Sequence, residues 1–195
     1  MADQKISAMP TAATLTGAEL VPLVQSGANV KSTLSAMSAF SRGNAGAYSS
    51  NITQTGSTTV GTVLTFNTTD YAGGVTLASS SRLTAPVAGT YNLQFSVQLQ
   101  TTDVAPQDAY IWLRVNGVDV TGSAGKVGIP ARKNPSDPFH AIYGWNYFLT
   151  LTAGQYVEIV WLPTATTVTI PFYAAQTTPA IPSTQSVVAT MCQVA

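Results

Sequence analysis

Between residues 89 and 100, apolar and polar side chains alternate without a break. Tyr91, Leu93, Phe95, Val97 and Leu99 fall on one side, and Asn92, Gln94, Ser96, Gln98 and Gln100 on the other. A period of two marks a strand with one face on a core and the other in water or against a polar partner surface. Further β-like runs surround it. Residues 59–66 are β-branched and partly alternating, 75–78 and 81–84 flank a Ser-rich turn, and 109–115 end at Asn116-Gly117. Asn-Gly favours a tight type I′ turn, so a hairpin into Val118-Asp119-Val120 is predicted. Runs at 144–151 and 155–162 are joined by Thr152-Ala153-Gly154, while 166–172 and 186–194 add two more strands. Residues 121–140 carry Gly122, Gly125, Gly128, Pro130, Pro135 and Pro138 and read as a long loop. Roughly eight strands, Gly/Pro turns and no helical period after residue 41 predict an all-β antiparallel sandwich or jelly roll over residues 58–195.

The front of the chain has a different texture. Short apolar islands (Ile6, then Leu20, Val21, Leu23 and Val24, then Leu34 to Phe40) are separated by Pro10, Gly17, Pro22 and Gly27. They are too few to close a core of their own, so they are expected to bury against a neighbouring domain or a partner chain. Residues 15–20 have potential for one helical turn, and 31–40 for a short helix with Leu34, Met37 and Phe40 on one face. The expected organisation is an extended, mostly irregular N-terminal arm (1–40), a small, polar, glycine-bearing linker (41–57) and the sandwich.

Composition narrows the function. Hydrophobic residues make up 45% of the 195, enough for a core, while charged residues are only 8%, eight of each sign. Thr, Ser, Ala, Gln and Asn cover the surface instead, which suits packing against other protein at high local density. Zero net charge and the lack of a basic stripe leave no electrostatic case for nucleic acid. The start Met1-Ala2-Asp3-Gln4-Lys5 lacks a basic, then apolar, secretion signal, and no apolar run approaches the ~20 residues that span a bilayer. Synthesis in a cytosol without membrane insertion is the expectation.

Little in the sequence points to catalysis. His140 is the single histidine; a Ser-His-Asp relay with Asp137 could be drawn, but no Gly-x-Ser-x-Gly elbow accompanies it. One His and the single Cys192 cannot supply three or four zinc ligands. Cys192 itself sits in the apolar run 187–192 and is expected to be a small core residue. Asp103 and Asp108 flank Pro106 and could pair for glycosidic chemistry or calcium, though neither spacing matches a known loop and solvation is the plainer reading. Gly122, Gly125 and Gly128 lead into no helix and cradle no phosphate. No cofactor and no metal are expected. The aromatic residues are more informative. Alternation sends Tyr143, Trp145 and Tyr147 to one face and Gly144, Asn146 and Phe148 to the other, so one face is assigned to the core and one to a subunit contact. Tyr143, Trp145 and Tyr147 are the interface candidates; exposed rings stacking on a sugar are the alternative.

Residues 83–95, Leu-Thr-Ala-Pro-Val-Ala-Gly-Thr-Tyr-Asn-Leu-Gln-Phe, resemble the core strand of the tumour-necrosis-factor and complement globular-head jelly rolls. Leu113 to Gly117 and Leu149 to Val157 follow in the order of that family, with Gly154-Gln155 where it has Gly-Asp. The resemblance covers roughly 58–194 and implies a jelly roll and a homotrimer. Residues 5–10 and 15–27 are similar to the opening of many tailed-bacteriophage virion proteins, in which such a segment precedes an exposed domain. That likeness implies a virion-surface structural protein. The first expectation is a trimeric capsid decoration, cement or short head-fibre protein. Its arm residues Ile6, Leu20, Val21, Leu23 and Val24 would attach it to other virion proteins such as the major capsid protein. The alternative is a tail-associated receptor-binding protein recognising a host surface glycan. The lack of a shaft favours the first, and the 121–140 loop the second.

Overall fold

The computed structural model describes residues 14–41 and 43–195, with the side chains of 39–41 excepted. Two compact units divide after Gly43. In the first, β1 (Leu20–Gln25) and β2 (Ala28–Thr33) form an antiparallel hairpin, followed by α1 (Leu34–Ser41). Ser26 and Gly27 both take positive φ, 51° and 78°, the signature of the tight turn that matches strand twist. The Thr33 hydroxyl accepts from the Ala36 amide at 3.1 Å and so caps α1. The arm therefore carries more regular structure than its broken islands suggested. No helical turn forms at 15–20. That stretch is instead tied to the start of α1 by the Leu34 amide on the Glu19 carbonyl and the Ser35 amide on the Gly17 carbonyl, both at 2.9 Å.

The second unit is an antiparallel jelly-roll sandwich. Its strands are β3 (Ala45–Ser50), β4 (Gln54–Thr55), β5 (Thr62–Val63), β6 (Thr68–Gly73), β7 (Thr76–Ala78), β8 (Arg82–Thr84), β9 (Gly89–Thr101), β10 (Gln107–Val115), β11 (Val118–Asp119), β12 (Gly125–Ile129), β13 (Phe139–Leu151), β14 (Tyr156–Pro163), β15 (Val168–Ile170), β16 (Gln176–Thr177), β17 (Ala180–Ile181) and β18 (Val187–Gln193). Sheet I runs β6-β3-β18-β9-β13, with β15 and β4 continuing beside the end of β9. Sheet II runs β7-β8-β14-β10, and β11 and β12 share the outer edge of β10. Successive strands cross between the sheets: β8 in II, β9 in I, β10 in II, β13 in I, β14 in II. This crossing is the jelly roll.

The core lies where the inward faces meet. Tyr91, Leu93, Phe95, Val97 and Leu99 of β9 are all buried, as their alternation predicts, and face Ile111 and Leu113 of β10 and Val157, Ile159 and Trp161 of β14. Each such side chain contributes roughly 1.5–3 kcal/mol of burial. The Asn116-Gly117 hairpin forms with φ of 48° and 82°, and the Ser-rich turn of β7–β8 uses Ser79 and Ser80 at 50° and 58°.

Two expectations of boundary need correction. The stretch 41–57 is not a linker, because β3 lies within it, hydrogen-bonded between β18 and β6. Its sequence, Ala-Gly-Ala-Tyr-Ser-Ser, hides this because Tyr48 alone supplies the large core contact. Tyr48 is 1% exposed, with its hydroxyl donating to the Val75 carbonyl at 2.7 Å. The 121–140 segment is likewise not one loop. β12 pairs with β10, and Gly125 stands there because the Trp145 indole occupies the space a Cβ would need. Cys192 is also corrected: Met191 points inward and Cys192 outward, exposed, since alternation along β18 lets only one of them into the core.

Candidate functional site

The described residues of the arm present an open apolar surface. Val21 and Leu23 are half-buried, whereas Leu20 is 58% and Val24 68% exposed. Leu23 and Val24 line a groove of about 620 Å³ with Val30, Ala36 and Met37. Ile6 lies outside the described residues. Within the arm no side chain among those described is fully buried. One charged group is firmly placed. Glu19 accepts from the Thr16 amide at 2.8 Å, the Thr16 hydroxyl at 2.8 Å and the Gly17 amide at 2.7 Å. These bonds, the Thr16 amide first, hold its carboxyl down to about 2.

Tyr143, Trp145 and Tyr147 all lie on the inward side of β13. They pack against the core cluster, with Trp145 stacked on Phe95 at 5.6 Å between centroids. Tyr147 donates to the Ser123 carbonyl at 2.6 Å and Tyr143 to the Gly128 carbonyl at 3.3 Å. These rings thus close the side of the sandwich between β13 and the β12 segment. Alternation separates the two faces of β13 correctly, but it does not say which one is inside. The outward face is the other one, where Ile142 is 66% and Phe148 64% exposed.

That outward face of sheet I has a distinctive chemistry. Its central strands offer Asn92, Gln94, Ser96, Gln98 and Gln100 from β9; Val188, Thr190 and Cys192 from β18; and His140, Ile142, Gly144, Asn146, Phe148 and Thr150 from β13. None is an Asp, Glu, Lys or Arg. A depression of about 490 Å³ lies in the middle, between Gln94, Ser96, Asn146, Val188 and Thr190. Gly144 opens it, since a Cβ there would stand 2.8 Å from the Phe95 carbonyl oxygen. The outward face of sheet II is the opposite: it carries Arg82, Asp108, Arg114, Asp119, Lys126 and Glu158, with Asp108–Lys126 at 2.9 Å and Arg114–Asp119 at 2.7 Å.

The residues singled out for chemistry are not assembled into a centre. His140 Nδ1 lies 2.9 Å from the Tyr173 hydroxyl, which also bonds Gln100, while Asp137 pairs with Lys133 at 3.9 Å. Asp103 accepts from Ala105, Gln107 and Thr167, chiefly the Ala105 amide, and is held below the usual carboxylate range, while Asp108 is committed to Lys126. Among the described residues no group of three or more His, Cys, Asp or Glu could hold a metal ion. No described helix is long and apolar enough to cross a membrane.

Comparison with protein-family models and with curated proteins returns no match for this chain. Among solved structures the chain is similar to the globular domain of zebrafish complement 1qA protein, at 15% identity and a TM-score of 0.45, over 78% of this chain and 98% of that one. The jelly roll expected from residues 83–95, 113–117 and 149–157 is the fold observed, and it stands on the strand order itself.

Proposed function

We propose that this chain is a non-enzymatic structural protein of a phage virion, a trimeric capsid decoration, cement or short head-fibre protein that attaches through its arm. The observation that carries the assembly part is the segregation of charge between the two outer faces of the sandwich. The central strands of sheet I expose Ile142, Phe148 and Val188 and no Asp, Glu, Lys or Arg, with Asp70 standing on the edge strand β6, so this centre can be covered by another copy without stripping water from a charge. A stable pairing of about 1,600 Å² then rests on area, and an uncharged interface holds equally at low and high salt. The attachment part rests on the arm, whose apolar groove is open among the described residues of its unit. The virion setting rests on the likeness of residues 5–10 and 15–27 to the opening of tailed-phage virion proteins.

The test is to add tagged chain to particles that lack it and image where it sits. Density spread over the shell is the expected result, and a chain truncated before Asn44 should stay folded but no longer join the particle. Density confined to the tail would replace this reading with the tail-associated receptor-binding one, and absence of density would remove both.

A further inference from the structure

On the outer face of sheet II, two aromatic residues of β10 stand in a row. Tyr110 is 36% exposed and Trp112 partly so; their cross-strand partners on β14 are Leu162 and Val160. Trp112 is held at both edges. Its indole Nε1 donates to Asp119 Oδ1 at 2.9 Å, and Gly61 lies so close to its benzo edge that a Cβ there would be 2.5 Å from Cζ2. Asp119 Oδ1 also accepts from Arg114 Nε at 2.7 Å. Both donors use the same oxygen, which leaves Oδ2 available on a side chain that is 56% exposed. Beside the rings, the 120–124 turn is rigid: the Ser123 hydroxyl accepts from the Leu113 amide at 3.0 Å and donates to the Val120 carbonyl at 2.8 Å. It lines the groove with Val120, Thr121, Gly122 and Ala124. Together these elements bound an open, shallow groove of about 410 Å³.

We propose that this groove binds a neutral pyranose unit of a saccharide, its C–H face on the Trp112 and Tyr110 rings and a hydroxyl pair donating to Asp119 Oδ2. Three features of the site select that ligand class. A wholly apolar molecule needs enclosure, whereas this groove is open and leaves one face of its occupant in water, as a sugar ring allows. The Trp112 ring, held at both edges, offers a flat apolar surface with little entropy left to lose, and Tyr110, with Lys126 Nζ 5.8 Å from its ring centroid, extends it. A carboxylate already positioned by two donors is a preorganised acceptor for hydroxyls and offers no donor to a sugar's own carboxylate. The groove lies on the face of the sandwich opposite the uncharged one, so self-association through sheet I leaves it open. The inference does not depend on where the arm attaches.

The test is saturation-transfer NMR on the purified full chain with the methyl glycosides of glucose, galactose, mannose and N-acetylglucosamine, and with N-acetylneuraminic acid as the anionic control. Transfer to the ring protons of one pyranose face is expected for at least one neutral glycoside, and none for the acid. Trp112→Ala should abolish it, and Asp119→Asn should weaken binding roughly tenfold or more, the loss of a charge-assisted hydrogen bond. Because Trp112 also covers part of the sheet, Tyr110→Ala, at an exposed position, serves where Trp112→Ala does not fold. Absence of transfer with every neutral glycoside, transfer from the acid alone, or transfer undiminished in Tyr110→Ala and Asp119→Asn would each overturn the proposal.

Discussion

Replacing Ile142 by Glu probes the uncharged centre of sheet I at its most exposed apolar point. Ile142 stands on the outward side of β13, opposite Gln98 of β9, and 66% of it is open to solvent. In a lone chain the new carboxylate is solvated, and the change costs under about 1 kcal/mol, the ordinary range for an exposed strand position. Against a second copy two losses combine. Two-thirds of an isoleucine is no longer buried, about 1–2 kcal/mol, and an unpaired carboxylate must shed water, several kcal/mol more. A loss of about 4 kcal/mol per contact weakens association roughly a thousandfold. Sedimentation velocity on both forms, at low and at high salt, measures this directly. The expected outcome is a trimer for the wild type that is insensitive to salt, and a folded monomer for Ile142→Glu with an unchanged circular dichroism spectrum. A wild type that is monomeric at every concentration, or an Ile142→Glu chain that keeps the oligomer's mass, would refute the assignment of this face. A trimer that dissociates in salt alone would refute the argument from charge.

Two further predictions follow from single groups. Ser123 is 2% exposed and serves both the Leu113 amide and the Val120 carbonyl, so Ser123→Ala should lower stability by about 1–3 kcal/mol; a urea midpoint equal to wild type would contradict this. Glu19 has its carboxyl depressed to about 2 from an ordinary 4.5, so its staple stabilises the arm fully above pH 4.5 and is lost as pH falls through 2. An NMR titration of the Glu19 carboxyl in the full chain checks this, and a midpoint near 4.5 would show the staple absent in solution.

Much of the sandwich was legible because its strands obey a two-residue period with large residues on the core side. β9 is the clearest case: every residue predicted inside is buried. Where the signal failed, the core contact was made by few or small side chains. β3 relies on Tyr48 alone, and β12 buries only Val127 and Ile129 in the short run Gly-Lys-Val-Gly-Ile, so both read as connecting segments. The arm hairpin was obscured by Pro22, which sits in the two-stranded ribbon opposite Lys31 and needs no neighbour beyond it. For β13 the pattern gave two faces and no orientation. The aromatic side turned inward where Gly125 of β12 leaves room for the Trp145 ring, and the Gly128 carbonyl accepts from the Tyr143 hydroxyl. The Trp112 groove was invisible for a different reason: only the Asn116-Gly117 hairpin folds Asp119 back onto Trp112 and Arg114.

The low charge content takes on meaning only through this geometry. β9 and β10 occupy comparable places, each a long strand with an apolar inward side. Had the scarcity of charge been a uniform property of the surface, their outward sides would look alike. Instead β9 shows Asn, Gln and Ser, while β10 shows Asp108, Tyr110, Trp112 and Arg114, set among ion pairs with β11 and β12. Ion pairs at an exposed surface contribute little to folding, about 0–1 kcal/mol each, so stability alone does not account for placing them on one face. Their cost on burial does. A face meant to be covered by protein is best kept free of groups that lose hydration, and a face meant to stay wet tolerates them. On the proposed reading the two sheets have different destinations, the centre of sheet I toward other copies of the chain and sheet II toward solvent.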